Sequence, residues 1–126
     1  MNRAFTNVLS GNVEATALFY ERLLGMRRHF DSDWFVILTH DDMDGLEFGV
    51  LSRDAEIVPE ALRAGPSGVL LTFVVEDVDA VHREALGLGA EAIEAPRDLP
   101  YGQRRMLVRD PDGTPLDVSA PMAPLV

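Results

Sequence analysis

The chain has 126 residues, of which 47% are hydrophobic and 25% charged, and its 11 basic and 21 acidic residues give a formal charge of −10. That is enough chain for one domain with an ordinary core, and the acidic balance argues against non-specific binding of nucleic acid or anionic membrane, which needs a basic face. There is no cysteine, which excludes disulfides, thiolate metal sites and a cysteine nucleophile; with no apolar signal run in residues 1–7 and nothing near the roughly 18 apolar residues of a membrane span, a cytoplasmic protein is expected.

Residues 6–10 read as a short strand, broken by Gly11-Asn12. Asn12 is a good N-cap for a helix over residues 13–24, in which Val13, Ala17, Tyr20 and Leu24 recur at three to four residues and Gly25 supplies the C-cap. Residues 26–30, 34–39 and 46–51 are strand-length, separated by Asp31-Ser32-Asp33 and by Asp41-Asp42-Met43-Asp44-Gly45. Residues 54–67 are less regular, with a helical turn at Pro59-Glu60-Ala61-Leu62-Arg63, and read as a linker.

The second half repeats this grammar. Residues 69–75 form a strongly apolar strand. Asp77 caps a helix over 78–88 that presents Val78, Val81, Ala85 and Leu88 on one face, and Gly89 ends it. Residues 92–95, 104–109 and 116–119 read as strands, with Asp110-Pro111-Asp112-Gly113 as a tight turn. Each half is therefore βαβββ, with module 1 over about 3–53 and module 2 over about 68–120. The expected fold class is α+β, two tandem modules within a single domain, 1–126.

Other motifs carry no chemistry. Gly87-Leu88-Gly89 closes a helix and lacks the preceding strand of a dinucleotide site. Gly65-Pro66-Ser67-Gly68 lacks the spacing of a nucleophile elbow. The acidic run 41–45 lacks the later glutamate of a calcium loop.

Three segments carry a family resemblance. Phe19-Tyr20-Glu21-Arg22-Leu23-Leu24-Gly25-Met26, Val75-Glu76-Asp77-Val78-Asp79-Ala80 and Arg109-Asp110-Pro111-Asp112-Gly113 resemble the vicinal-oxygen-chelate superfamily, the glyoxalase, bleomycin-resistance and extradiol-dioxygenase group. The likeness covers nearly the whole chain, but these residues build turns and helix contacts, so they speak for family more than for activity. It implies an open cleft with four metal-bearing positions on the first and last strand of each module. They fall at Phe5, Glu47, Leu70 (with Val69 or Leu71 as neighbouring registers) and Asp117. The family usually has histidine at the first and third. Two carboxylates without imidazole make a poor site for zinc or iron, so no metal and no other cofactor is expected, although a weak hard-cation site stays open. His29, His40 and His82 lack ligand spacing and read as structural or surface residues.

The resemblance implies a small-molecule-binding protein of the bleomycin-resistance type, metal-free and homodimeric, with Phe5, Trp34, Glu47, Phe48, Leu70, Arg105 and Asp117 at the ligand. Trp34 fits a cleft wall or the sheet core equally, and strand alternation alone leaves Glu47 facing either solvent or cleft. If Glu47 and Asp117 share a dry cleft, one has a raised pKa or pairs with Arg104 or Arg105, which is also a possible acid/base couple. The acidic charge suits a cationic ligand. The alternative is a metal-dependent enzyme of the lactoylglutathione-lyase or dioxygenase kind, against which the missing histidines count.

Overall fold

The computed structural model describes residues 1–122; of the domain expected over 1–126, the last four residues lie outside the described ones. The chain divides into two units between Pro66 and Ser67. The first contains β1 (Thr6–Ser10), α1 (Val13–Leu24), β2 (Arg27–Asp31), β3 (Phe35–His40), β4 (Met43–Ser52) and a 3-10 turn at Glu60–Leu62. The second contains β5 (Leu71–Val74), α2 (Val78–Gly87), β6 (Ala92–Leu99), β7 (Gln103–Arg109) and β8 (Pro115–Pro121). The strand orders are β1-β4-β3-β2 and β5-β8-β7-β6. In each sheet the first pair is parallel and the others antiparallel. The fold is α+β, built from two βαβββ modules.

Both helices begin as their sequences dictate. Asn12 is extended, and its side chain accepts from the Ala15 amide at 3.1 Å. Asp77 does the same for Ala80 at 3.1 Å. Gly25 ends α1 at φ 69°, in the left-handed region that disfavours other residues. Each helix covers one sheet face. Below α1, Tyr20 is fully buried and lies 4.8 Å from the Phe48 ring, on a floor completed by Val36, Leu38 and Val50. In the second module Val78 and Ala85 of α2 are buried, as are Met106, Val108, Leu116 and Val118 of the sheet. Because side chains alternate along a strand, this burial fixes which residues line the opposite, helix-free faces.

Several strands end elsewhere than their sequence expectation, and three have a clear physical reason. The apolar run 69–75 is a strand only over Leu71–Val74, since its ladder starts at Leu71 against Leu116, and the Val75 amide adds a last bond to the Ser119 carbonyl at 2.8 Å. Gly68 turns the chain just before it at φ 70°, and Val69 and Leu70 stay exposed. The strand expected over 92–95 runs to Leu99. Pro96 does not end it because β6 is an edge strand whose register shifts between Glu94 and Arg97, where no ladder donor is needed. Strand β4 starts at Met43, inside the expected turn, because the hairpin closes over Asp41 and Asp42 with His40 opposite Met43.

The last hairpin is held by one buried carboxylate. Asp110 Oδ1 accepts from the amides of Asp112 at 2.8 Å and Thr114 at 3.0 Å, and Gly113 takes φ 90°.

The caps give a direct test. Asn12→Ala and Asp77→Ala should each lower stability by about 1 kcal/mol, read as a shifted urea midpoint with an unchanged slope. No loss from either substitution would show that the caps are dispensable.

Candidate functional site on the helix-free faces

In the first module, register places Asn7 beside Gly49 and Leu9 beside Leu51, away from the helix. Phe5 and Arg3 continue that face. Arg3, which the sequence reading passed over, makes the dominant contact there. Its Nε donates to Glu47 Oε2 at 2.6 Å and its Nη2 to Oε1 at 2.5 Å, a bidentate pair. The same guanidinium lies 4.8 Å above the Phe5 ring, within cation–π range. The Arg3 hydrogen bonds hold the Glu47 carboxyl below its ordinary value of 4.5, and His29 adds to this through space. Glu47 is thus a neutralised anion whose carboxyl is held low by Arg3. Alternation back from Phe5 to Arg3 was the signal available for this pair.

Gly49 has a spatial role on this face. A Cβ there would stand 1.9 Å from Asn7 Oδ1 and 3.1 Å from the Phe35 ring. Only glycine lets the Asn7 amide lie across β4 at this point.

Phe48 takes the other face. It is buried against Tyr20, because residues adjacent on a strand point oppositely and Glu47 holds the helix-free side. A ligand on that side does not meet the Phe48 ring. Trp34 precedes β3, is 44% exposed, and rests 5.8 Å from Phe35. With Ala55, Glu56 and Ile57 it lines a shallow hollow, separate from the Arg3–Glu47 pair.

In the second module Asp117 points away from α2, between the fully buried Leu116 and Val118. Its Oδ2 lies 3.2 Å from Thr72 Oγ1, on the adjoining strand. Arg105 shares this face. It pairs across the ladder with Ser119, one position diagonal to Asp117, and its Nη2 lies 3.5 Å from Glu94. Glu94 also binds Arg97, and these two arginines hold its carboxyl low. Arg104 takes the helix side, where it joins Asp79 and Asp98 at 3.0 and 2.9 Å. Both arginines thus pair with carboxylates of their own module other than Asp117. Leu70, just before β5, is 52% exposed.

A divalent metal does not suit this donor set. Phe5 and Leu70 offer no ligand atom, Glu47 is occupied by Arg3, and the described residues contain no group of three metal-capable side chains. His40 is used locally: its Nδ1 accepts from the Asp42 amide at 3.0 Å.

Two four-stranded sheets of identical topology, each with one helix, define the class to which comparison with known proteins leads. A family model described as Glyoxalase/Bleomycin resistance protein/Dioxygenase superfamily matches residues 4–118, and the chain belongs to that superfamily. Solved structures agree in fold. A glyoxalase/bleomycin resistance protein/dioxygenase family enzyme from Burkholderia phytofirmans PsJN has TM-score 0.80 and 23% identity, covering 94% of this chain and 97% of its own. A glyoxalase-related enzyme from Fulvimarina pelagi has TM-score 0.76 and 20% identity, over 94% and 87%. A lactoylglutathione lyase from Agrobacterium tumefaciens has TM-score 0.68 and 18% identity, over 94% and 92%. No curated protein matches the sequence.

The Arg3–Glu47 pair is testable by titration. Its folded-state carboxyl lies below the unfolded value, so the contribution is complete above about pH 4.5 and is lost as the pH falls through the folded value. In Arg3→Met the Glu47 carboxyl resonance should titrate higher, nearer 4.5. An unchanged midpoint would mean that the pair does not persist in solution. Gly49→Ala should cost about 1–2 kcal/mol, with part of the loss recovered on adding Asn7→Ala, which removes the closest clash.

Proposed function

We propose that the chain is a metal-free, small-molecule-binding member of its superfamily. The observation that carries this reading is the bidentate Arg3–Glu47 pair over Phe5. Glu47 is the only carboxylate among the first module's two metal-bearing positions, and a guanidinium from the same chain already takes both its oxygens. The other position is an aromatic ring. The face so formed mixes apolar surface with a few placed polar groups, as small-molecule sites generally do.

This arrangement changes which ligand Glu47 can accept. A cationic compound must displace Arg3 from the carboxylate and from the Phe5 ring. The exposed Trp34 remains a wall for a planar group, at its own hollow. We further propose a cytoplasmic homodimer, since Phe30, Trp34, Ile57, Val69 and Val74 all expose more than 40% of their surface and apolar surface of that kind favours association. A monomer by light scattering at micromolar concentration would remove the dimer.

Two measurements test the binding reading. Protein purified without added metal should contain far less than one equivalent of zinc, nickel, manganese or iron; stoichiometric metal lost in Glu47→Gln would overturn the metal-free assignment. Planar cationic compounds, followed by tryptophan fluorescence and thermal shift, should bind Arg3→Ala several-fold more tightly than the parent protein, because the internal competitor is gone. Glu47→Gln should abolish that gain. Equal affinity across all three proteins would take Glu47 out of the site.

A further inference from the structure

Two polar atoms on the helix-free face of the second module are buried and find no hydrogen-bond partner among the described residues: Arg105 Nε and Asp117 Oδ1. Native proteins leave few such atoms, and here an unused donor and an unused acceptor lie on neighbouring strands. Another atom of each group is engaged. Asp117 Oδ2 meets the Thr72 hydroxyl, and Arg105 Nη2 meets Glu94. Arg105 opposes Ser119 in an antiparallel ladder and Asp117 is two residues before it, so the two are diagonal neighbours, about 7–8 Å apart at the backbone and within reach of long side chains.

We propose that Arg105 and Asp117 together form a recognition site for a neutral carboxamide group. This rests on the reading of the chain as a small-molecule-binding protein and names the ligand chemistry of its second module. The argument is one of complementary demand. Arginine can only donate and an ionised carboxylate can only accept. A ligand carboxylate would accept from Arg105 but face the like charge of Asp117. An ammonium would donate to Asp117 but face the like charge of Arg105. A carboxamide offers a carbonyl oxygen to Nε–H and an N–H to Oδ1 on adjacent atoms, without net charge.

The surroundings suit this ligand. Val74, on the same face as Thr72 by alternation, is 67% exposed, and Leu70 before the strand is 52% exposed. They offer apolar surface to the body of an amide-bearing molecule. Arg105 is also free enough to respond. Its 3.5 Å contact with Glu94 is long for a charge-assisted hydrogen bond, so Glu94 is a weak competitor for the guanidinium.

Four aromatic probes of matched size separate the possibilities: benzamide, methyl benzoate, benzoate and benzylamine, titrated into the full chain by calorimetry. Benzamide should bind at least about tenfold more tightly than the other three, since a site built to hydrogen-bond a group rejects the analogue lacking it. Arg105→Met and Asp117→Leu should each erase the preference. A readout on the unsubstituted protein guards against misfolded variants: the Arg105 Nε–H resonance, assigned by its loss in Arg105→Lys, should shift on adding benzamide but not methyl benzoate. Tightest binding of benzoate, lost in Arg105→Met, or of benzylamine, lost in Asp117→Leu, would overturn the carboxamide assignment and leave the binding function standing. An unmoved Arg105 resonance would overturn it as well. Absence of binding by all four probes, together with failure of the cationic panel on Arg3→Ala, would bring down both readings.

Discussion

The contact between α1 and its sheet, centred on Tyr20 against Phe48 with Val36, Leu38 and Val50 beneath, decides the rest of the first module. Burying one face of a four-stranded sheet fixes register, because a one-residue slip would carry every apolar side chain to the wrong side. Once Phe48 is committed to the helix, Glu47 must point the other way, and so must Asn7, Leu9 and Leu51, which follow the same pleat. The second module repeats the constraint through Leu116 and Val118, which send Asp117 to its helix-free face. Candidate chemistry in both units is therefore a by-product of core packing.

Charge is handled in the same way in both halves. One arginine joins helix to sheet in each. Arg28 on β2 reaches Glu14 and Glu21 of α1 at 2.7 and 2.8 Å, and Arg104 on β7 reaches Asp79 of α2 at 3.0 Å. Arg28 is the more buried, with 18% of its side chain exposed, and several carboxylates raise its pKa. Exposed pairs of this type contribute little singly, and both bridge a helix to the sheet it covers. The helix-free faces carry ion pairs of their own, among them Arg3 on Glu47, and Arg97 and Arg105 on Glu94.

Asp117 is the contrast. It carries no ion pair among the described residues and shares a hydroxyl contact with Thr72. Glu47 and Asp117 look alike in sequence, since each is an acidic residue between apolar neighbours on the last strand of a module. Their environments differ because Arg3 precedes β1 by three positions and reaches back to Glu47, whereas the corresponding approach to β5 brings Val69 and Leu70. One carboxylate is neutralised by its own chain and the other keeps an acceptor unused. The superfamily's frame is thus retained while the polar groups on it serve different ends.

Much of the architecture was determined by local chemistry that a sequence displays: Asn12 and Asp77 as helix caps, Gly25 and Gly113 at positive φ, and the repeated βαβββ order. These depend on residues a few positions apart. The length of β6 through Pro96 did not, because a proline is tolerated only where the strand lies at an edge with a shifted register, and edges exist only in the assembled sheet. Placing Phe48 in the core and Glu47 outside it likewise needed the helix, since alternation separates two faces without saying which one is covered. Most of all, the sequence named Glu47, Arg105 and Asp117 as polar groups but could not say which were already satisfied. That is set by contacts between residues as distant as Arg3 and Glu47, which only the tertiary structure brings together.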